Sequence, residues 1–336
     1  MITRILVATR NPAIWECALL PEINMRNRCL AIAICAVAVL FFHASLAFAQ
    51  DWRAKYPELV FAIIPSENAS AVTNRWTGFT DYLSRELGVK VSLRVAADYA
   101  AVVEGQRAGN IHIASLGPAS FARARLIGVK TDAFAVDANG DGTRGYYSVF
   151  YVLAKSPYKS IEDLKGKNIG LVDPNSTSGY NMPMFVLDKR GIVPDAYFGK
   201  SLITGSHENA LLALVQGTID VAANAWYSES DNHIARMIAR GMLKNADGSP
   251  MKYEDFRIVA KSDMIVNDPL TYLSDLPDDL KAKIRAAVFD FPTKDKDAYA
   301  KLDEGKGRHW EPIDNSAYDD TIHLIQFVDS LRKRKS

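Results

Sequence analysis

From residue 59 onward, short apolar runs of strand length alternate with stretches whose apolar residues recur at helical spacing. No other feature of the chain restricts its fold so tightly. The run at 59–65 (LVFAIIP) reads as a buried strand. In 71–87, Val72, Trp76, Phe79, Tyr82, Leu83 and Leu87 mark one helical face, and Gly88 stops it. A strand at 89–96 (VKVSLRVA), a helix from Tyr99 to about Ala108, a strand at 111–116 (IHIASL) and a helix at 119–127 follow. A second block opens near Tyr146 with the apolar strand YYSVFYVLAK, then a short capped helix at 160–166 and a strand at 167–173 (KNIGLVD). Helices at 180–189 and 207–216, strands at 219–225 (IDVAANA) and near Ile258 (RIVAKSDMI), and helices at 278–289 and 319–332 complete it. Repeated β-α order implies an α/β fold with parallel sheets and right-handed crossovers. The 336 residues, at about 150 per domain, suggest two domains. Two α/β lobes linked by strands near 146–154 and 256–264 would leave a cleft between them, where loops leave the carboxyl ends of the strands.

The first 49 residues read as an address rather than as part of that fold. Arg26 and Arg28 precede an apolar run from Cys29 to Phe42, and Ala47-Phe48-Ala49 follows, in the order of a cleaved secretory signal. The apolar run is short for a membrane span of about 20 residues. Residues 1–24 precede a second methionine, Met25, and read as a misassigned start or an uninformative extension. Cleavage after Ala49 removes four basic residues (Arg4, Arg10, Arg26, Arg28) and two acidic ones (Glu16, Glu22), which takes the net charge from +1 to −1. It also removes all three cysteines (Cys17, Cys29, Cys35), and with them any disulfide, thiolate metal site or cysteine nucleophile. The expectation is a soluble exported protein of the periplasm. Near-neutral charge argues against a nucleic-acid partner, which calls for a basic face.

Chemistry is expected in the strand-to-helix loops. In Asp173-Pro174-Asn175-Ser176-Thr177-Ser178-Gly179, three consecutive hydroxyl residues stand where a helix's first N–H groups lack partners, and such an end attracts anions. A helix cap needs only one hydroxyl, so three in a row favour an anion site over a plain cap. A second loop, Gly205-Ser206-His207-Glu208-Asn209, puts His207 in a first helical turn, able to donate a ring N–H, although a lone histidine is more often structural. Tyr99 opens a helix after a strand and Tyr146 begins the inter-lobe strand, and each could equally be core. The stretch Asp137-Ala138-Asn139-Gly140-Asp141-Gly142 starts like a calcium loop. Ser148 stands where the closing glutamate belongs and a strand follows, so it reads as a turn. The histidines His112, His207, His233, His309 and His323 lack zinc-ligand spacing, and no nucleophile with its base is visible, so no metal, cofactor or catalytic residue is expected.

The string DPNSTSG, followed some thirty residues later by GSHENAL, resembles the periplasmic phosphonate-binding proteins of ABC importers. FAIIPSENASAVTNRW, the DYA at 98–100, the GYYSV at 145–149 and KSDMIVNDP at 261–269 add to the likeness. The resemblance covers about residues 57–300. It implies a type II periplasmic binding fold, with one lobe from 57–145 plus 265–336 and the other from 146–264, closing on a ligand by a hinge. It implies that Ser176, Thr177 and Ser178 hold the phosphonate with His207 and Tyr146. It further implies that Tyr99 and Asp268 meet the ammonium of aminoethylphosphonate. Where such proteins carry a glutamate after the VDVA-like strand, this chain has Tyr227 beside Trp226, so either the ligand's tail differs or Glu229 supplies the acid. The implied partners are a small phosphonate and an ABC permease. Phosphite, sulfonate or another oxyanion are alternative cargoes, and a sensor subunit or an exported phosphoester hydrolase are alternative roles.

Overall fold

The computed structural model describes residues 52–333, so the expected signal segment lies outside the described residues. In chain order the elements are α1 (Trp52–Lys55), β1 (Glu58–Ile63), α2 (Ala69–Leu87), β2 (Lys90–Val95), α3 (Tyr99–Arg107), β3 (Ile113–Ser115), α4 (Pro118–Leu126), β4 (Thr131–Ala138) and β5 (Gly145–Leu153). Next come β6 (Asn168–Leu171), α5 (Met182–Asp188), α6 (Pro194–Tyr197), β7 (Lys200–Ile203), α7 (His207–Val215), β8 (Val221–Trp226), α8 (His233–Ala239) and β9 (Phe256–Val266). The chain ends with β10 (Pro269–Leu273), α9 (Asp278–Lys294), α10 (Lys296–Asp303), β11 (His309–Pro312) and α11 (Asp319–Lys333).

Two sheets organise them. One has the order β11-β4-β10-β3-β1-β2 and the other β7-β6-β8-β5-β9. Helices cover both faces of each sheet, which is why β1, β3, β6 and β8 read as near-continuous apolar runs. On one face of the first sheet Leu59, Phe61 and Ile63 pack against Phe79 and Leu83 of α2 and Ile284, Val288 and Phe291 of α9. On its other face Tyr99, Val102, Leu116, Phe121 and Tyr318 form a second core. The second sheet sits likewise between the cluster of Leu211, Leu214 and Met237 and that of Leu164, Ile169 and Leu187.

The sheets are mixed rather than purely parallel. β2-β1-β3 and β7-β6-β8 are parallel, as the β-α order requires. β10 runs antiparallel to β3 and β4, β11 antiparallel to β4, and β5 antiparallel to β8 and β9. The reason is connectivity. β4 passes to β5 and β9 to β10 directly from one sheet to the other, with no helical crossover to restore a parallel direction. The strand β4, the short strands β7, β10 and β11, and the helices α8 and α10 escaped the sequence reading. The segment at 160–166 forms only a single 3-10 turn, Glu162–Leu164. Among the described residues no helix is long and apolar enough to cross a membrane.

Candidate functional site

Four helix N-termini converge where the two sheets face each other, and each is prepared by its own sequence. Asp98 caps α3 by accepting from the N–H of Ala101 at 2.7 Å, which sets Tyr99 in the first turn. Ser206 caps α7 through Asn209 at 3.1 Å, which sets His207 likewise. Ahead of α5, residues Thr177–Asn181 form a wide π turn capped by Ser176, whose hydroxyl accepts from the N–H of Gly179 at 3.1 Å. Gly179 is required there, because a Cβ would stand 2.4 Å from Val172 and 2.9 Å from the Ser176 hydroxyl. α4 has no side-chain cap of its own, and Thr177 Oγ1 from the other sheet's layer accepts from its Ala119 N–H at 2.8 Å. A hydroxyl that accepts from a backbone N–H must aim its own hydrogen elsewhere. Capping and donating are therefore compatible for Ser176 and Thr177, and the two sequence readings of this motif do not exclude each other.

Ser176, Thr177, Ser178, His207, Tyr146, Tyr99, Asp268 and Tyr227 all line one cavity of about 130 Å³. The first six were named as the anion-binding or helix-opening residues, and the structure brings them together with the other two. Burial holds His207 neutral, lowering its pKa to about 4, and its Nδ1 is buried without a hydrogen-bond partner. Burial likewise pushes the hydroxyls of Tyr99, Tyr146 and Tyr227 well above the usual range, so all three stay protonated. The rings of Tyr146 and Tyr227 stack with centroids 5.1 Å apart. Asp268 is the carboxylate at this end. Burial and then the neighbouring Asp137 raise it to about 7. An acid there is half neutral near pH 7, and a cation beside it would return it to the ionised form.

Two sequence expectations need correcting. Glu229 is exposed and does not line the cavity, because the chain turns outward after Tyr227. Trp226 also faces away, donating its indole N–H to the Tyr253 hydroxyl and lying 3.9 Å from the Lys261 ammonium, so it forms no cavity pair with Tyr227. The second carboxylate near Asp268 is instead Asp137, at the end of β4, in the segment read as a mere turn.

Sequence reasoning also missed the charged part of the cavity. Glu67, in the β1-α2 loop, is 4% exposed and accepts from Arg75 at 2.9 Å, Arg236 at 2.8 Å and Arg240 at 3.0 Å. Burial alone would raise Glu67, but Arg236 and Arg75 overcome it and hold the carboxyl well below its ordinary range. His233 of α8 stacks on His207 with centroids 4.6 Å apart and planes within 10°. Burial and then His207 lower its pKa. Arg308 donates to Asp137 at 3.4 Å. None of these residues has a spacing that betrays it. The one available signal was the acidic residue in a strand-to-helix loop, Ser66-Glu67-Asn68. Among the described residues no group of three or more His, Cys, Asp or Glu side chains is arranged to hold a metal ion.

Residues 61–318 match the family described as the periplasmic phosphonate substrate-binding proteins of ABC transporters. The chain is 29% identical over 257 residues to the phosphonates-binding periplasmic protein of Escherichia coli, covering 75% of this chain and 72% of that one. It is 34% identical over 221 residues to a phosphate-import protein of Mycolicibacterium smegmatis, covering 62% of this chain and 64%, under two thirds, of that one. Among solved structures, the binding component of an ABC phosphonate transporter from Pseudomonas aeruginosa superposes with a TM-score of 0.71 at 26% identity, over 83% of this chain and 89% of that one. A protein from Prochlorococcus marinus in complex with methylphosphonate superposes with a TM-score of 0.68 over 81% of this chain and 98% of that one. At 21% identity that likeness shows the fold alone.

Proposed function

The chain belongs to the periplasmic phosphonate-binding family of ABC transporters, and from that premise we propose that its cavity captures an aminated phosphonate and delivers it to a membrane permease. The observation that carries this reading is the joining in one cavity of neutral donors at one end with the unpaired acid Asp268. Ser176, Thr177, Ser178, the Tyr146 hydroxyl and the His207 ring N–H would hold the phosphonate oxygens. Charge-neutral donors at helix N-termini stabilise an oxyanion without a fixed ion pair, which suits a protein that must release its cargo. Asp268 would receive the ammonium, with the Tyr99 hydroxyl beside it. Tyr227 in place of a second carboxylate keeps an aromatic face against the ligand's carbon chain.

Exchange of the two layers' contacts would supply hinge closure. Thr177 caps α4 across the cleft, and the N–H of His207 donates to the carbonyl of Ser66 at 3.1 Å. Both bonds exist only when the lobes meet, so ligand contacts made in that state shift the balance toward it. Export to the periplasm follows from the family and from the signal-like order of residues 26–49.

The test is a thermal-shift panel of aminoethylphosphonate, methylphosphonate, phosphite, phosphate and an alkylsulfonate. By mass action a ligand at a hundred times its Kd adds about 2.7 kcal/mol of stability, a rise visible in the melting temperature. Aminoethylphosphonate should give the largest rise of the five. A panel in which sulfonate or phosphate outranks every phosphonate would overturn the reading.

A further inference from the structure

His207 has a counterpart in His233. Each is the first residue of a helix behind a side-chain cap. Ser206 accepts from the N–H of Asn209 at 3.1 Å ahead of α7, and Asn232 accepts from the N–H of Ala235 at 2.9 Å ahead of α8. Asn232 is wholly buried, and its amide also donates to the carbonyls of Ser228 and Glu229, at 2.9 and 3.0 Å. The turn that delivers His233 is therefore fixed from both sides. The two rings stack with centroids 4.6 Å apart and planes within 10°, and both line the cavity that holds residues 176–178.

In each ring Nδ1 is buried and has no hydrogen-bond partner. Nε2 of neither ring is shut off in that way, and neither makes a hydrogen bond within the protein, so Nε2 is the polar atom that each ring offers to the cavity. His233 is only 4% exposed, and a polar atom left unmet in so dry a place is costly. Arg236 on its own helix, Arg75 on α2, Glu67 in the β1-α2 loop and His207 on α7 are the titratable groups that face it. Two guanidiniums against one carboxylate favour an anion there over an ammonium. Burial, then His207 and Arg236, hold His233 well below the ordinary histidine range against the pull of Glu67, and burial lowers His207 likewise. Both rings are thus uncharged at neutral pH. An uncharged imidazole carries one N–H, whose position follows the partner that the ring meets, and an oxyanion in the cavity draws it to Nε2.

We propose that His233 is a second imidazole donor to the phosphonate head group, its Nε2–H meeting an oxygen beside the one that His207 meets. This rests on the phosphonate reading above and adds a contact to that site. A carboxylate's two oxygens offer about four lone-pair sites, so three phosphonate oxygens offer about six. Ser176, Thr177, Ser178, Tyr146 and His207 supply five donors, and His233 supplies one more.

Titration calorimetry with methylphosphonate on the full chain tests it, because that ligand has no polar tail and isolates the head group. His233→Phe keeps an aromatic ring against His207 but removes the donor, and should weaken binding at least about tenfold. His233→Gln gives up the stack but carries an amide N–H to roughly the place of Nε2, and should bind more tightly than the phenylalanine variant. The opposite order, with His233→Phe matching the unsubstituted protein, would mean that the ring only supports His207. A loss seen with aminoethylphosphonate but not with methylphosphonate would put His233 at the ligand's tail. Either result overturns the proposal. NMR of the ring nitrogens tests it without any substitution. Methylphosphonate should fix the hydrogen of both histidines on Nε2, and a His233 hydrogen that stays on Nδ1 overturns the proposal as well. Failure of methylphosphonate to bind the unsubstituted protein would sink the phosphonate reading and this contact together, whereas insensitivity to His233→Phe would leave that reading standing.

Discussion

At the scale of single residues, the site is made of groups whose ordinary chemistry has been moved by burial. Thr177 accepts from the N–H of Ala119, which leaves its own hydrogen free to be donated, on the proposed reading to a ligand. Thr177→Ala should therefore weaken phosphonate binding by about 1–2 kcal/mol, read by calorimetry. Thr177→Ser should recover most of it. Unchanged affinity in the alanine variant would remove this hydroxyl from the site. Asp268 gives a pH signature. Its pKa, raised to about 7, means that the folded protein holds a proton there which an unfolded chain releases at ordinary carboxylate pH. Stability of the ligand-free protein should thus fall as pH rises from the carboxylate range toward 7, and Asp268→Asn should flatten that fall in urea titrations at several pH values. An ammonium prefers the ionised carboxylate, so the ratio of aminoethylphosphonate to methylphosphonate affinity should climb as pH approaches 7 and level off above it. A ratio flat across that range would separate the amine from Asp268.

At the scale of elements, the loop between β1 and α2 meets the N-terminal turn of α7 and, along α8, Arg236 and the C-terminal cap Arg240 through an unusual concentration of bonds. Ser66 accepts from the N–H of His207, Glu67 pairs with Arg236 and Arg240, and the N–H of Asn68 donates to Glu208 at 2.8 Å. Four consecutive-layer contacts within three residues make this loop the clasp between the two sheets' layers. Removing one partner from a buried ion cluster leaves the others uncompensated, which typically costs about 3–5 kcal/mol. Glu67→Ala should lower the melting temperature. Glu67→Gln, which keeps an acceptor but not the charge, should chiefly speed ligand release in stopped-flow displacement. A release rate identical to the unsubstituted protein would show that the clasp plays no part in retaining cargo.

At the scale of the whole molecule, α11 straps the two layers together at the end of the chain. It packs on α4 through Ile325 and the Arg123–Asp329 pair, and on α5 through Phe327, whose ring meets Phe185 edge-on at 5.6 Å. Such an aromatic pair contributes about 0.5–1.5 kcal/mol beyond simple burial. Phe327→Ala should lower the melting temperature by a few degrees, as a loss of that size does in a chain this long. It should also enlarge the ligand-free radius of gyration measured by X-ray scattering. Saturating ligand should restore the smaller value, because ligand contacts then favour the closed arrangement.

The α/β alternation, the hydroxyl-bearing turn at 176–178 and the placement of His207, Tyr99 and Tyr146 at element starts were legible in the sequence because each is local. A period of 3.6 or an apolar run announces an element, and a cap announces where its backbone donors stand exposed. The strands β4, β10 and β11 were not legible, since strands that pair antiparallel after the chain crosses between sheets take their direction from where it re-enters, which no local pattern encodes. The same holds for the acid-base part of the cavity. Glu67, Asp137, Arg236 and Arg308 come from four separate segments, and each looks like an ordinary surface charge until folding removes its water. Local periodicity sets which elements form. The electrostatics of the cavity, from the raised Asp268 to the neutral His207, arise only when distant segments share a space from which solvent is excluded.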